Sequence, residues 1–284
     1  RSPISWVPTA YFAMGLPFVV LNMVTVLMFK GLEVDDKLIT FWTSLILLPW
    51  TLKPLWSPFL ELFRTKKFFV IVTQLITGIT FGLVAFALNL SHFFSISIAL
   101  LAIVAFSGAT HDIACDGVYM SELSNEDQAR FIGWQGAFYN IAKILATGGL
   151  VYLAGYFIEL NADAGLLTAN KRAWMIILLI LSVTMILLGI YHLFALPSTQ
   201  SASSRKTLRS NKEVMKELGQ VLMDFFRKTH ITYYICFIIL YRFAEGFVMK
   251  IVPLFLKADR EMGGLGLNEK EIGLYYGTYG AAAF

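Results

Sequence analysis

Two acidic side chains, Asp112 and Asp116, stand four residues apart in a stretch that is otherwise almost entirely apolar. The segment 93–110 before them contains no charged residue, so both carboxylates fall inside or at the edge of a membrane-spanning helix. Residues four apart share a helical face. A carboxylate at the bilayer centre costs on the order of 3 kcal/mol and normally faces a bundle interior or a wet cavity. This pattern predicts a proton-coupling site, with Asp112, the deeper acid, as the proton carrier.

Each of these side chains also has a purely structural interpretation. Asp112 could be the partner of a buried salt bridge, or could join helices by hydrogen bonds, as polar residues do in membrane bundles. Asp116 lies one turn nearer the predicted cytoplasmic end and could organise the following loop. His111 could relay protons, because its unperturbed pKa of about 6.5 lies near neutrality; the alternative is a hydrogen-bonded structural histidine.

A second group of charges lies in the run 231–256. Arg242 and Glu245 are three residues apart and occupy one helical face, so they could neutralise each other, and Glu245 is a further proton-coupling residue to test. Lys143 is predicted to bind substrate or to be the charge partner of Asp112 or Asp116. Lys53 is expected to extend its amine to the cytoplasmic surface instead.

Gly15 and Pro17 interrupt the first apolar run in the sequence MGLPF. They are predicted to loosen that helix where it would form a cavity wall. A plain packing kink would produce the same pattern.

The composition is that of an integral membrane protein with an all-α fold. Of the 284 residues, 57% are hydrophobic and 15% charged, whereas about a quarter are charged in soluble domains. A membrane span needs about 20 apolar residues. Seven runs qualify, and an eighth begins near Ile272, so the second helical bundle is expected to be truncated in this chain. The seven runs are 6–29, 38–60, 68–90, 93–119, 131–158, 174–196 and 231–256.

The distribution of Lys and Arg predicts the orientation. With the N-terminus in the cytoplasm, the inside segments hold twelve of the 23 basic residues, the outside loops seven and the spans four; basic residues favour the inside. The linker 197–230 begins as a flexible polar segment, and its second part has apolar residues at helical spacing. An amphipathic helix on the cytoplasmic surface is predicted there, with docking to a partner protein as the alternative.

An internal repeat predicts the architecture. The sequence GLEVDDKLI at 31–39 recurs as GLGLNEKEI at 264–272, and Asp35 and Asn268 stand where an N-cap would begin the next helix. Six spans separate the copies, so the two halves have the same orientation. The predicted organisation is a six-helix bundle over 1–196, a linker over 197–230 and the start of a second bundle over 231–284.

Other classes of function find no support in the sequence. The chain has no nucleophile elbow, Walker loop or HExxH motif, so no enzymatic activity is predicted. No cofactor or metal site is expected, because the two cysteines lie in spans and the four histidines lack ligand spacing. The net charge of +4 comes from short loops and indicates membrane orientation, so no nucleic-acid partner is expected. The expected partners are lipid, protons and a small solute, bound by a monomer.

Three motifs resemble those of a transporter family. KPLWSPFLELF at 53–63 resembles the pattern K-F-L-W-S-P-x-x-D-R, and YRFAEGF at 241–247 resembles Y-K-L-G-D-A-F. THDIACDGVYMSELSNEDQAR at 110–130 resembles S-Q-D-I-x-x-D-A-x-x-x-D-x-L-x-x-E-E-R, with His111 in place of Gln. Together they resemble the anhydromuropeptide permeases of the major facilitator superfamily, which have acetyl-CoA transporters as relatives.

The resemblance implies a function as well as a fold. It implies two parallel six-helix bundles in the inner membrane of a bacterium and proton-coupled import of sugar-peptide fragments of the cell wall. Asp112, Asp116, Arg242 and Glu245 match the acidic and basic positions of the family motifs. The alternatives are another solute, such as an acyl-CoA, a peptide or a drug, or a membrane signalling or scaffold protein.

Overall fold

The computed structural model describes residues 2–57, 60, 65–197, 216, 219–220, 223–224 and 226–280, except the side chains of residue 238 and residues 242–245. Over these residues the chain is all-helical, as predicted. Within the described part, six helices are long and apolar enough to span a membrane. They are α1 (Pro3–Gly31), α2 (Asp36–Leu55), α3 (Lys66–Ala87), α4 (Phe93–Glu122), α5 (Asn125–Leu160) and α6 (Leu166–Ala195).

The seventh predicted span is also a helix. It forms α7 (Ile231–Lys257), and a further helix, α8, begins with Glu269–Glu271 and continues as a π-helix over Ile272–Gly280. The predicted amphipathic helix of the linker falls largely outside the described residues.

Two of the predicted spans are less regular than their apolar runs indicated. Helix α1 contains a π-helical segment, Val20–Val24, just after Pro17. Helix α2 is interrupted after Leu45, resumes as the short helix Leu48–Leu52 and ends in a 3-10 turn. Pro49 and Pro54 account for this, since proline has no backbone N–H to donate and is tolerated in the first turn of a helix. The predicted span over 38–60 is therefore confirmed as a membrane-length helical segment over Asp36–Leu55, with a break in its middle.

The first six helices pack into one bundle. Helix α3 lies against α4 and α6, while α1 lies against α4 and α5 and is buried along almost its whole length. Glycines allow two of these close approaches. A Cβ at Gly78 would stand 2.9 Å from the Ser182 carbonyl oxygen, and one at Gly15 would stand 3.0 Å from the Tyr139 carbonyl oxygen. The structure therefore gives Gly15 a packing contact with α5.

The internal repeat has the same local structure in both copies. Asp35 accepts hydrogen bonds from the backbone N–H groups of Lys37 and Leu38, and Asn268 forms a capping box with Glu271. Both predicted N-caps are confirmed. Each copy also joins its two helices by an ion pair between a lysine and a first-turn acid. These pairs are Lys30 with Asp36, at 2.8 Å, and Lys257 with Glu269.

Candidate functional site

The Asp112 side chain lies on the inner surface of α4 and is held by two residues of α2. Its Oδ2 accepts hydrogen bonds from Lys53 Nζ at 2.6 Å and from Trp50 Nε1 at 2.9 Å. Asp112 is only 8% exposed, and its Oδ1 has no hydrogen-bond partner among the residues described. One oxygen is thus paired with a cation while the other is free to take a proton.

The interruption of α2 positions these two partners. Because the helix restarts at Leu48, Trp50 and Lys53 stand three residues apart and both face α4. Gly108 makes room for the indole ring, since a Cβ there would stand 2.8 Å from Trp50 Cζ2. Phe18 of α1 packs edge-to-face on the same indole, with the ring centroids 5.3 Å apart. The site therefore depends on α1, α2 and α4 together.

Asp116, one turn further along α4, has a different partner. Its Oδ1 accepts a hydrogen bond of 2.8 Å from the hydroxyl of Tyr11 on α1. The Tyr11 ring is buried and packs edge-to-face against Tyr119. Asp116 itself is exposed. The two predicted carboxylates therefore lie on one face of α4, but each is tied to a different neighbouring helix.

A buried chain of hydrogen bonds runs beside the acids. Thr9 Oγ1 lies 2.9 Å from His192 Nε2, and His192 Nδ1 lies 2.9 Å from Gln74 Oε1. Gln74 Nε2 in turn donates to His111 Nε2 at 2.9 Å. The amide nitrogen of Gln74 can only donate a hydrogen bond and its oxygen can only accept one. His192 therefore donates from Nδ1, and His111 accepts at Nε2. The chain therefore connects α1, α6, α3 and α4 through the interior of the bundle.

Two other predicted site residues, His111 and Lys143, do not bond to either carboxylate. His111 bonds to Gln74, away from both carboxylates. Lys143 on α5 is exposed; Asp112 pairs with Lys53, and the solute-binding alternative for Lys143 stays a prediction. Lys53, which was expected to extend toward the cytoplasmic surface, directs its amine to Asp112 and keeps 28% of its side chain exposed. The side chains of Arg242 and Glu245 lie outside the part that the structure describes.

Several members of the site were missed by the sequence reasoning. Tyr11, Gln74 and His192 are single polar residues in long apolar runs, and their contacts come from residues more than 35 positions away in the chain. Trp50 and Lys53 could have been found from the sequence. Both side chains end in a polar group, and residues three apart in a helical span share a face. Within the described residues, no group of three or more His, Cys, Asp or Glu side chains is placed to hold a metal ion.

Comparison with known families covers nearly the whole chain. The family model of the Major Facilitator Superfamily matches residues 9–284. The chain belongs to the major facilitator superfamily. No curated protein and no solved structure matched it. Members of this superfamily are secondary transporters that bind small solutes within the membrane, so the buried Asp112–Lys53 pair lies in the helices of a solute carrier.

Proposed function

We propose that this transporter imports anhydromuropeptide-like fragments of the cell wall into the bacterial cytoplasm, driven by protons through alternating access. The observation that carries the proposal is the state of Asp112. This carboxylate pairs through Oδ2 with Lys53, and its buried Oδ1 has no hydrogen-bond partner in the part of the chain that the structure describes. A pair of this kind is a weak source of stability, because desolvation offsets much of its attraction. Its presence inside a transporter bundle favours a role in coupling.

Coupling follows from competition between a proton and Lys53 for one carboxylate. Two unit charges 4 Å apart near a protein surface attract by about 4 kcal/mol. Protonation of Asp112 removes most of that attraction. The Lys53 side chain is 28% exposed, so its amine can turn to water when the carboxylate is neutral. The segment of α2 that carries Trp50 and Lys53 would then be free to move relative to α4.

The direction of transport follows from the proposed orientation. With the N-terminus inside, Asp112 would take a proton when the cavity faces the more acidic outside and release it when the cavity faces the cytoplasm. Asp116 and Glu245 are the further proton-coupling candidates in this scheme. His111, Lys143 and Arg242 are the candidates for contact with the solute, and Gly15 with Pro17 for flexing of α1.

The substrate rests on the motifs at 53–63, 110–130 and 241–247, which resemble those of anhydromuropeptide permeases. An acyl-CoA, a peptide or a drug is the competing solute. A scaffold protein would gain nothing from a buried carboxylate with one unpaired oxygen, which argues against that class.

Uptake into proteoliposomes tests the proposal. The purified protein would be offered labelled anhydromuropeptides, free sugars, short peptides and acetyl-CoA, with an inward proton gradient and with that gradient collapsed by an ionophore. We expect accumulation of anhydromuropeptides above the external concentration only while the gradient exists. Accumulation of another class of solute would overturn the substrate assignment. Accumulation that continues after the ionophore has collapsed the gradient would overturn proton coupling.

A further inference from the structure

Lys250 of α7 is a buried cation in the contact between the two halves of the chain. The residue is 6% exposed. Its Nζ donates to two main-chain carbonyl oxygens of the first half, Asn22 at 3.4 Å and Thr43 at 3.3 Å. No carboxylate among the described side chains forms an ion pair with it. The amine thus belongs to one half and both of its acceptors to the other.

Both carbonyls occur where a helix of the first half is irregular. Asn22 lies in the π-helical segment of α1. Thr43 lies just before the interruption of α2, where the Leu47 N–H bonds to Ser44 instead of continuing the regular ladder to Thr43. Carbonyls at interrupted helices within a membrane are known sites for binding cations. Lys250 therefore bonds to the first half at one irregular point in each of two helices.

The arrangement leaves the ammonium group poorly compensated. A hydrogen bond between an ammonium and a carboxylate is about 2.7–2.9 Å long and roughly twice as strong as a neutral one, whereas both acceptors of Lys250 are neutral and more distant. Other lysines near this end of the helices are paired with acids: Lys30 with Asp36, Lys257 with Glu269 and Lys270 with Glu159. Lys250 departs from that pattern, and buried charge within a membrane marks solute pathways.

We propose that Lys250 binds a carboxylate of the transported solute when the two halves separate at the end formed by residues 32–35 and 258–268. Separation there withdraws the Asn22 and Thr43 carbonyls together, because both move with the first half. The amine then remains on α7 without an acceptor, and a solute carboxylate supplies the stronger partner. This inference rests on alternating access in the proposed function, and it narrows the substrate to carboxylate-bearing solutes.

A matched pair of solutes tests the assignment. Uptake would be measured for an anhydromuropeptide with a free terminal carboxylate and for its terminal amide, in the native protein and in the variants Lys250→Met, Lys250→Arg and Lys37→Met. Lys37 is exposed on the neighbouring α2, so its replacement controls for the loss of a positive charge. A charge-assisted hydrogen bond predicts a preference for the acid of about tenfold in kcat/KM.

We expect Lys250→Met to reduce that preference to about twofold or less while uptake of the amide is unchanged. Lys250→Arg and Lys37→Met should keep the preference. A preference that survives in Lys250→Met, or an equal fall in uptake of both solutes, would overturn the proposal, since an equal fall is what a structural role alone predicts.

A labelling experiment judges the inference separately from substrate identity. Lys250→Cys would be made in protein with Cys115 and Cys236 replaced, and treated with a membrane-impermeant thiol reagent from the side of residues 32–35. We expect labelling, because the side chain must be uncovered on that side during the cycle. Absence of labelling at 250, while the exposed control Ala164→Cys reacts, would overturn the inference even if anhydromuropeptide uptake is confirmed. Labelling without uptake of any muropeptide would refute only the proposed substrate.

Discussion

Gly277 of α8 lies directly against the main chain of Thr147 in α5. A Cβ at position 277 would stand 2.1 Å from the Thr147 carbonyl oxygen, and one at Gly273 would stand 2.5 Å from the Tyr152 backbone nitrogen. Both helices are π-helical at this contact, over Leu145–Leu150 and Ile272–Gly280. The two halves of the chain therefore meet backbone to backbone, and no side chain can be added at Gly277 without moving α8 away from α5.

Replacing Gly277 with Ala should hold the two halves apart at this end. Spin labels would be placed at Ala164 and Met262, which are both exposed, in protein lacking Cys115 and Cys236. We expect the distance distribution between the labels to shift to longer values in Gly277→Ala. The matched control is Gly136→Ala in α5, where a Cβ would meet nothing within 4 Å. An unchanged distribution in Gly277→Ala would contradict the close contact.

Asp112→Asn should abolish uphill uptake and preserve some exchange of solute. Asn has nearly the volume of Asp and resembles the protonated acid, so only the release of the proton is lost. The measurement compares accumulation under a pH gradient with exchange of labelled for unlabelled solute at equal pH. Asp163→Asn is the control, because Asp163 is an exposed acid in the connection between α5 and α6. If Asp112→Asn still accumulates solute, Asp112 is not the proton carrier, and Asp116 or Glu245 becomes the next candidate.

Lys53→Met should destabilise the protein more than the double variant Lys53→Met with Asp112→Asn. The single variant leaves a buried carboxylate without its cation, and breaking a buried pair costs about 3 kcal/mol or more; the partial exposure of Lys53 lowers that figure. Neutralising Asp112 as well removes the uncompensated charge. Thermal unfolding in detergent, measured as a double-mutant cycle with Asp112→Asn alone, gives the coupling energy. Additive effects of the two changes would show that the pair is energetically unimportant.

The two ends of α5 should be accessible from opposite sides of the membrane. Basic residues concentrate in the segments assigned to the cytoplasm, and this distribution predicts Asn125 inside and Ala164 outside. Both are exposed. Single cysteines at these positions, after removal of Cys115 and Cys236, would be treated with an impermeant thiol reagent in intact cells. Ala164→Cys should react and Asn125→Cys should react only after permeabilisation; the reverse result would invert the topology.

The helices could be predicted from the sequence because apolar length alone defines a membrane span. The N-caps at Asp35 and Asn268 could also be predicted, since a cap depends on neighbours within four residues. The partner of Asp112 could not. Lys143 and Lys53 are equally basic and both lie in apolar runs, and the choice between them depends on the interruption of α2 around Pro49, which aims Lys53 at α4. Contacts such as Gly277 with Thr147 depend on how two helices cross. The crossing geometry cannot be predicted from the residues of one segment alone.

The chain from Thr9 to His111 should stabilise the fold without carrying the coupling proton. Gln74 is fully buried and bonds to both imidazoles, so Gln74→Leu removes two hydrogen bonds and leaves two buried ring nitrogens unpaired, at about 1–3 kcal/mol each. Thr9→Val leaves only one buried ring nitrogen unpaired, Nε2 of His192, and should cost about 1–3 kcal/mol. We expect thermal unfolding in detergent to show a clearly larger loss for Gln74→Leu than for Thr9→Val. The ratio of protons to solute transported should stay at its native value in both variants, because the chain bonds to neither carboxylate. Loss of proton-driven accumulation in folded Gln74→Leu protein, with exchange intact, would instead make His111 a proton relay.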